Sequence, residues 1–162
     1  MLKLLCGDLN PQEVEWCSAS SSAFLVLQED ALAPWLTGIQ NIVRFMDVSD
    51  ERILAHPYFA NFAEILSLPV SKMSFGQRRI VELFRATLAE PDLLCLDEPL
   101  NFLDPENREV AGQMLIDAQR RMNFQLLISS HYDEDFSGFD RQEFLFDGSL
   151  PVRCLNARVP ER

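Results

Sequence analysis

Four consecutive apolar residues, Leu93 to Leu96, run into two adjacent acids, Asp97 and Glu98, and then a proline, Pro99. No other stretch constrains the fold as tightly. Such a run suits a strand of a parallel sheet covered on both faces. Pro99, lacking an N–H, stops it. Open parallel sheets place their chemistry beyond the carboxyl ends of strands, so the acid pair is a candidate site. The residues before it predict a helix. Ser74 with Gln77 three positions on has capping-box spacing, and Ile80, Val81, Leu83, Phe84 and Leu88 recur at helical intervals. Pro91 then bars continuation.

The same alternation extends both ways. Asp104 followed by Pro105 is a good cap and first position for a helix from about Glu106, with Val110, Met114, Leu115 and Ala118 inward and Arg120 and Arg121 near its end. Phe124 to Ile128 predicts another strand, ending in Ser129-Ser130-His131. Upstream, the polar link Ser18 to Ser22 leads into a buried-strand candidate, Ala23 to Leu27, followed by Gln28. Between Ile39 and Pro69 the pattern is helical: one stripe of Ile39, Ile42, Val43 and Met46, a second short helix capped by Ser49, and a third after Pro57 carrying Phe59, Phe62, Ile65 and Leu66. His56, just before Pro57, reads as a turn residue. Met1 to Leu9 suggests a short apolar helix broken at Asn10-Pro11, and residues 144 to 149 a strand and turn. The tail from Pro151 to Arg162 predicts no element.

Bulk numbers remove some classes of function. Residues number 162, enough for one domain with a fair core, and 48% are apolar against 24% charged. Asp and Glu outnumber Lys and Arg by 25 to 14, a formal net charge of -11, whereas a protein that tracks a nucleic-acid backbone is usually basic. Nucleic acid is therefore not an expected partner. The four cysteines, Cys6, Cys17, Cys95 and Cys154, form no Cys-x-x-Cys pair, so a zinc site is not expected. Cys95 reads as a small buried hydrophobe. No apolar run approaches the ~18 residues of a membrane span, and no signal peptide is visible, which points to an intracellular chain that reaches a membrane only through a partner.

Taken in order, Gln28 after a strand, Ser74-Phe75-Gly76-Gln77, Asp97-Glu98-Pro99, Asn101-Phe102-Leu103-Asp104 and His131 resemble the Q-loop, signature motif, Walker B strand, D-loop and H-loop of the ATP-binding cassette (ABC) ATPases. Pro34-Trp35-Leu36-Thr37 is similar to importer cassettes for small oxyanionic or organic nutrients. The resemblance covers about Met1 to Leu150. It implies an α/β fold with a P-loop NTPase-like three-layer core, a mostly parallel sheet and an inserted helical subdomain. Residues 1–37 and 72–150 would form the ATPase core, 38–71 the helical subdomain and 151–162 a tail, all in a single partial cassette domain. Two departures stand out. No Gly-Lys-Ser or Gly-Lys-Thr occurs, so the Walker A loop and the β-subdomain before it are not found in the sequence, and Phe75 stands where the family usually has glycine.

The resemblance also assigns roles. ATP and Mg²⁺ are the implied cofactors. Gln28 and Asp97 would hold Mg²⁺, Asp97 through water. Glu98 would be the general base or orienter for the water attacking the γ-phosphate, with His131 contacting that phosphate. Ser74, Phe75, Gly76 and Gln77 would face ATP held by the other subunit, since a hydroxyl and unpaired N–H groups at a helix N-terminus suit an anion. Asp104 would touch that subunit while capping its own helix. By itself each feature is ordinary: a helix cap, solvated carboxylates, a histidine after a strand. Their order carries the reading.

The implied function is ATP hydrolysis that drives solute transport, with a second ABC ATPase subunit and a membrane permease as partners, on the cytoplasmic face of the membrane. Without the phosphate loop, the chain alone is expected to hydrolyse little. Charge-assisted hydrogen bonds contribute about 1.5–3 kcal/mol each, so losing two or three weakens binding by roughly 3–9 kcal/mol, a hundredfold to over a millionfold. The chief alternative is a non-catalytic pairing subunit that donates Ser74 to Gln77 to an intact cassette. A third reading, a fragment of an ABC-F-type translation factor, has the similar Asp-Glu-Pro-x-Asn-x-Leu-Asp run in its favour. The acidic balance and the absence of a second cassette weigh against it.

Overall fold

The computed structural model describes residues 22–130 and two further strands, Glu143–Phe146 and Cys154–Arg158. Three strands, β1 (Ala23–Val26), β2 (Leu93–Asp97) and β3 (Gln125–Ser129), form a parallel sheet in the order β1-β2-β3. Val26 pairs with Leu96, and Asp97 with Ser129. The central strand is the all-apolar run, with Leu94, Cys95 and Leu96 fully buried. The fold is therefore α/β, with helical crossovers between parallel strands. Phe124 was expected to begin β3 but precedes it. Asn123, in a left-handed conformation, ends the preceding helix, and Phe124 fills the core at the turn.

The crossover from β1 to β2 carries the helical lobe. It contains α1 (Gly38–Met46), α2 (Asp50–Leu54) and α3 (Phe59–Ser67). Two of the three starts are capped by side chains. Thr37 and Gln40 close a reciprocal capping box on α1, and Ser49 accepts from the Arg52 N–H at the start of α2. Ile42, Ile53, Phe62 and Leu66 turn inward and join the same hydrophobic core as the rest of the fold. The chain enters and leaves the lobe side by side: Thr37 bridges Pro69, and the Gly38 N–H donates to the Leu68 carbonyl at 3.2 Å. Gly38 is required there, since a Cβ would sit 2.9 Å from the Leu66 carbonyl oxygen.

Helix α4 (Phe75–Leu88) follows a 3-10 turn at Val70–Lys72 and is the most buried helix. Its Ile80, Val81, Leu83 and Phe84 lie in one core with Leu94, Leu96 and Met114. After β2, α5 (Pro105–Met122) returns the chain to β3, capped by Asp104 with Pro105 at its first position. His56 lies in the turn between α2 and α3 as the sequence suggests, but it is buried, its ring 4.3 Å from that of Phe84. Strand β4 (Glu143–Phe146) pairs antiparallel with β5 (Cys154–Arg158). The first of these matches the expected strand. The second lies in the tail, where the sequence reading found no element. The expected helix at Met1 to Leu9 lies outside the described residues. Among them, no helix is long and apolar enough to cross a membrane.

Candidate functional site

The three parallel strands end along one edge, and that edge gathers three of the candidates, Gln28, Asp97 and Glu98. Gln28 lies two residues past Val26, Asp97 closes β2, and Ser129 closes β3 beside it. The Ser129 hydroxyl donates to Asp97 Oδ1. The next residue, Glu98, has a φ of 47°, the left-handed region that a non-glycine residue adopts only when its surroundings hold it there. Its N–H donates to the Ser129 carbonyl at 3.0 Å and its own carbonyl accepts from Asn101 at 3.2 Å. The main chain thus turns sharply at Glu98. His131, the remaining residue expected at this edge, lies outside the described residues.

A second group forms where the start of α4 meets the loop after β2. Ser74 is exposed at the helix start; its Oγ accepts from the Gln77 N–H at 3.2 Å, and Gln77 Oε1 accepts from the Ser74 N–H at 2.9 Å. The Ser74 hydroxyl keeps its proton to give, and the first-turn N–H groups of Phe75 and Gly76 have no partner within the helix. Gly76 is pressed against the loop: a Cβ there would lie 2.5 Å from the Phe102 carbonyl oxygen. Phe102 itself has a φ of 66°. Phe75, in the place of the expected glycine, does not intrude on that contact. Its ring is 68% exposed, 6.2 Å from the ring of Phe102 and 4.7 Å from the Arg78 guanidinium. Asp104, at the end of the loop, accepts from Asn107 through both carboxylate oxygens at 2.9 and 2.7 Å. These bonds favour its charged form and lower its pKa.

Between the two groups lies a cluster that the sequence reading missed. Arg79 and Glu82 project from α4 and are almost wholly buried, 3.3 Å apart. Arg79 donates to the carbonyls of Leu27 and Gln28, the latter at 2.8 Å. Glu82 accepts from the Ala31 N–H at 2.9 Å and lies 3.8 Å from Arg85. Arg78 pairs with Asp30 at 3.0 Å. Burial pushes the Glu82 carboxyl up, opposed by the Ala31 N–H and the two arginines. Burial likewise pulls Arg79 down, opposed by Glu82, Asp97 and Asp30. Asp97 is therefore within electrostatic reach of the same guanidinium that holds Gln28. Asn41 secures the far end of this segment, bonding both the N–H and the carbonyl of Ala33. The available signal was two opposite charges three apart on the stripe that also carries Ile80 and Leu83, a poor place for unpartnered charge.

An open groove of about 590 Å³ runs along this cluster, lined among the described residues by Gln28, Glu29, Asp30, Phe75, Arg79, Glu82 and Phe102. No group of three or more His, Cys, Asp or Glu that could hold a metal occurs among them. Mg²⁺ in nucleotide enzymes takes one or two carboxylates, with water and phosphate oxygens for the rest, so it would need no such group. Asp97, with one oxygen engaged by Ser129, can supply such a carboxylate. The exposed start of α4 fits an anion.

Comparison with known proteins adds to this geometry. The model of the ABC transporter family matches residues 1–101. An aliphatic sulfonates import ATP-binding protein of Rhizobium johnstonii is 33% identical over 132 residues, 77% of this chain and 48% of that protein. A taurine import ATP-binding protein of Pseudomonas aeruginosa is 32% identical over 143 residues, 84% of this chain and 54% of that one. The chain thus spans about half the length of the curated relatives it matches. Among solved structures, a metal-chelate type ABC transporter in an inward-facing conformation covers 99% of this chain at a TM-score of 0.72 and 19% identity, with 66% of that chain covered. The dimeric cassette MJ0796 bound to ADP and Pi covers 74% of this chain and 56% of its own, at a TM-score of 0.60 and 18% identity. At those identities the structures speak to fold alone.

Proposed function

Because the chain belongs to the ABC transporter family, we propose that it serves as the signature, Q-loop, Walker B and D-loop portion of an ATP-binding cassette that drives solute import. The observation that carries this reading is the shared strand edge, where Gln28, Asp97 and Glu98 lie within one turn of the sheet's end while Gly76 packs on the loop that leads to Asp104. ATP with Mg²⁺ is the cofactor. Bound Mg²⁺ would neutralise phosphate charge, with Asp97 and Gln28 as its holders. Glu98 would orient or deprotonate the attacking water, and His131 would contact the γ-phosphate. Ser74 donates its hydroxyl, and the first turn of α4 its N–H groups, to the γ-phosphate of ATP seated on a second ABC subunit. Asp104 meets that subunit. A membrane permease completes the complex on the cytoplasmic side, and small organic solutes of the kind named for the relatives are the cargo.

No Gly-Lys-Ser or Gly-Lys-Thr is present to grip the β- and γ-phosphates, so the chain of these 162 residues hydrolyses ATP poorly alone. Paired with an intact cassette, it completes the partner's site. ATPase assays on the chain alone, on an intact cassette and on the mixture test this. The expected result is negligible turnover alone and a gain in the mixture that Ser74→Arg abolishes. Steady turnover by the chain alone, lost in Glu98→Gln, overturns the pairing role. A mixture indifferent to Ser74 does so too.

A further inference from the structure

We infer that Arg79 and Glu82 are positioning residues that lock the segment after β1 to α4, so that Gln28 and the Ser74 end of the helix move as one body. The inference rests on the reading above for its functional meaning, but its physical content stands on this chain alone. A buried ion pair seldom adds stability by itself, because desolvation offsets the attraction. Breaking one, by contrast, leaves an uncompensated charge. What this pair does that an apolar pair could not is bond backbone. Arg79 takes the two successive carbonyls of Leu27 and Gln28, and Glu82 takes the Ala31 N–H. These groups belong to a segment between strand and lobe with no ladder partners of its own. The bonds are part-buried, and helix side chains supply the partners that a neighbouring strand would otherwise give. Arg78 to Asp30, and Arg85 to the Ala31 carbonyl at 3.5 Å, extend the same grip outward.

The planar guanidinium explains why arginine serves here. It presents several donors in a fixed fork and stays charged, so it can span two carbonyls and a carboxylate at once. A lysine offers one compact ammonium and would reach fewer of them. Rotation of α4 about its axis would therefore carry Gln28 with it, and a ligand at Ser74 would be felt at Gln28 through this linkage.

Hydrogen exchange tests the lock. In the unliganded chain, Arg79→Gln is expected to speed exchange at residues 28 to 31 at least tenfold while the amides of α5 keep their protection. Because a buried glutamate without its partner could unfold the chain, the apolar double variant Arg79→Met with Glu82→Leu provides a second arm. It should melt near the parent yet show the same loosening at 28 to 31. Parental exchange there in the folded double variant overturns the inference, since packing alone would then hold the segment. In the mixture with an intact cassette, ATP should slow exchange at both 74–77 and 28–31 in the parent. With Arg79→Gln only 74–77 should respond, and Arg79→Lys should restore part of the response at 28–31. A response at 28–31 that survives Arg79→Gln also overturns it. Absence of any ATP effect at 74–77 in the parent counts instead against the pairing role, and the unliganded arm still decides the lock.

Discussion

At the scale of single residues, His56 and Gly76 show how surroundings set behaviour. Nδ1 of His56 accepts from the Tyr58 N–H at 3.2 Å, so the network assigns the ring proton to Nε2, 3.2 Å from Thr87 Oγ1, whose hydroxyl donates to the Phe84 carbonyl. The neutral ring is satisfied on both sides. Burial, with help from Arg121, lowers its pKa to about 4. An unfolded histidine titrates near 6.5, so between those values the unfolded state binds the extra proton. The stability due to neutral His56 is thus complete above about pH 6.5 and lost as pH falls toward 4. Unfolding free energies of parent and His56→Gln from urea titrations should differ less at pH 5 than at pH 7.5, by roughly 1–3 kcal/mol. Parallel profiles would contradict this. At Gly76 a methyl group has nowhere to go, since its neighbour is the backbone of Phe102. Gly76→Ala should cost about 1–3 kcal/mol in urea unfolding.

At the scale of elements, the start of α4 joins a stabilising cap to the proposed phosphate contact. Ser74→Ala removes the oxygen that accepts from Gln77, and should lower stability by about 1 kcal/mol and the melting temperature by about 2–4 °C. Ser74→Asp keeps a cap and should melt near the parent, while placing a negative charge at the proposed phosphate contact, so it should still abolish the proposed gain in turnover. Such capping made the elements readable. Ser49, Ser74 and Asp104 each begin a helix where the sequence places one, and Leu93 to Leu96 is the central strand. What the sequence hid is what distance along the chain hides. The Arg79 bonds span 51 and 52 residues, and Ser129 meets Asp97 across 32. The left-handed turn at Glu98 has no glycine to announce it, and β5 lacks an apolar alternation strong enough to predict it.

At the scale of the molecule, the lobe and the sheet meet on α4. Its lobe-facing side touches α1 and α3, its other side lies on β1 and α5, and Ser74 and Phe75 at its start are exposed. That placement makes α4 the element through which an event at Ser74 would reach both the Gln28 segment and the lobe. Tyr58, at the start of α3, adds a tie by hydrogen bonding to Asp117 on α5, and burial together with that carboxylate raises the tyrosine pKa to about 12. Tyr58→Phe should therefore loosen the lobe in hydrogen exchange without unfolding the sheet. Whether the exposed start of α4 faces a phosphate bound by another subunit is measured by titrating Mg-ATP into an intact cassette, with this chain and with its Ser74→Arg variant at equal concentration. At least tenfold tighter binding is expected with the parent than with Ser74→Arg; equal affinities would contradict that placement.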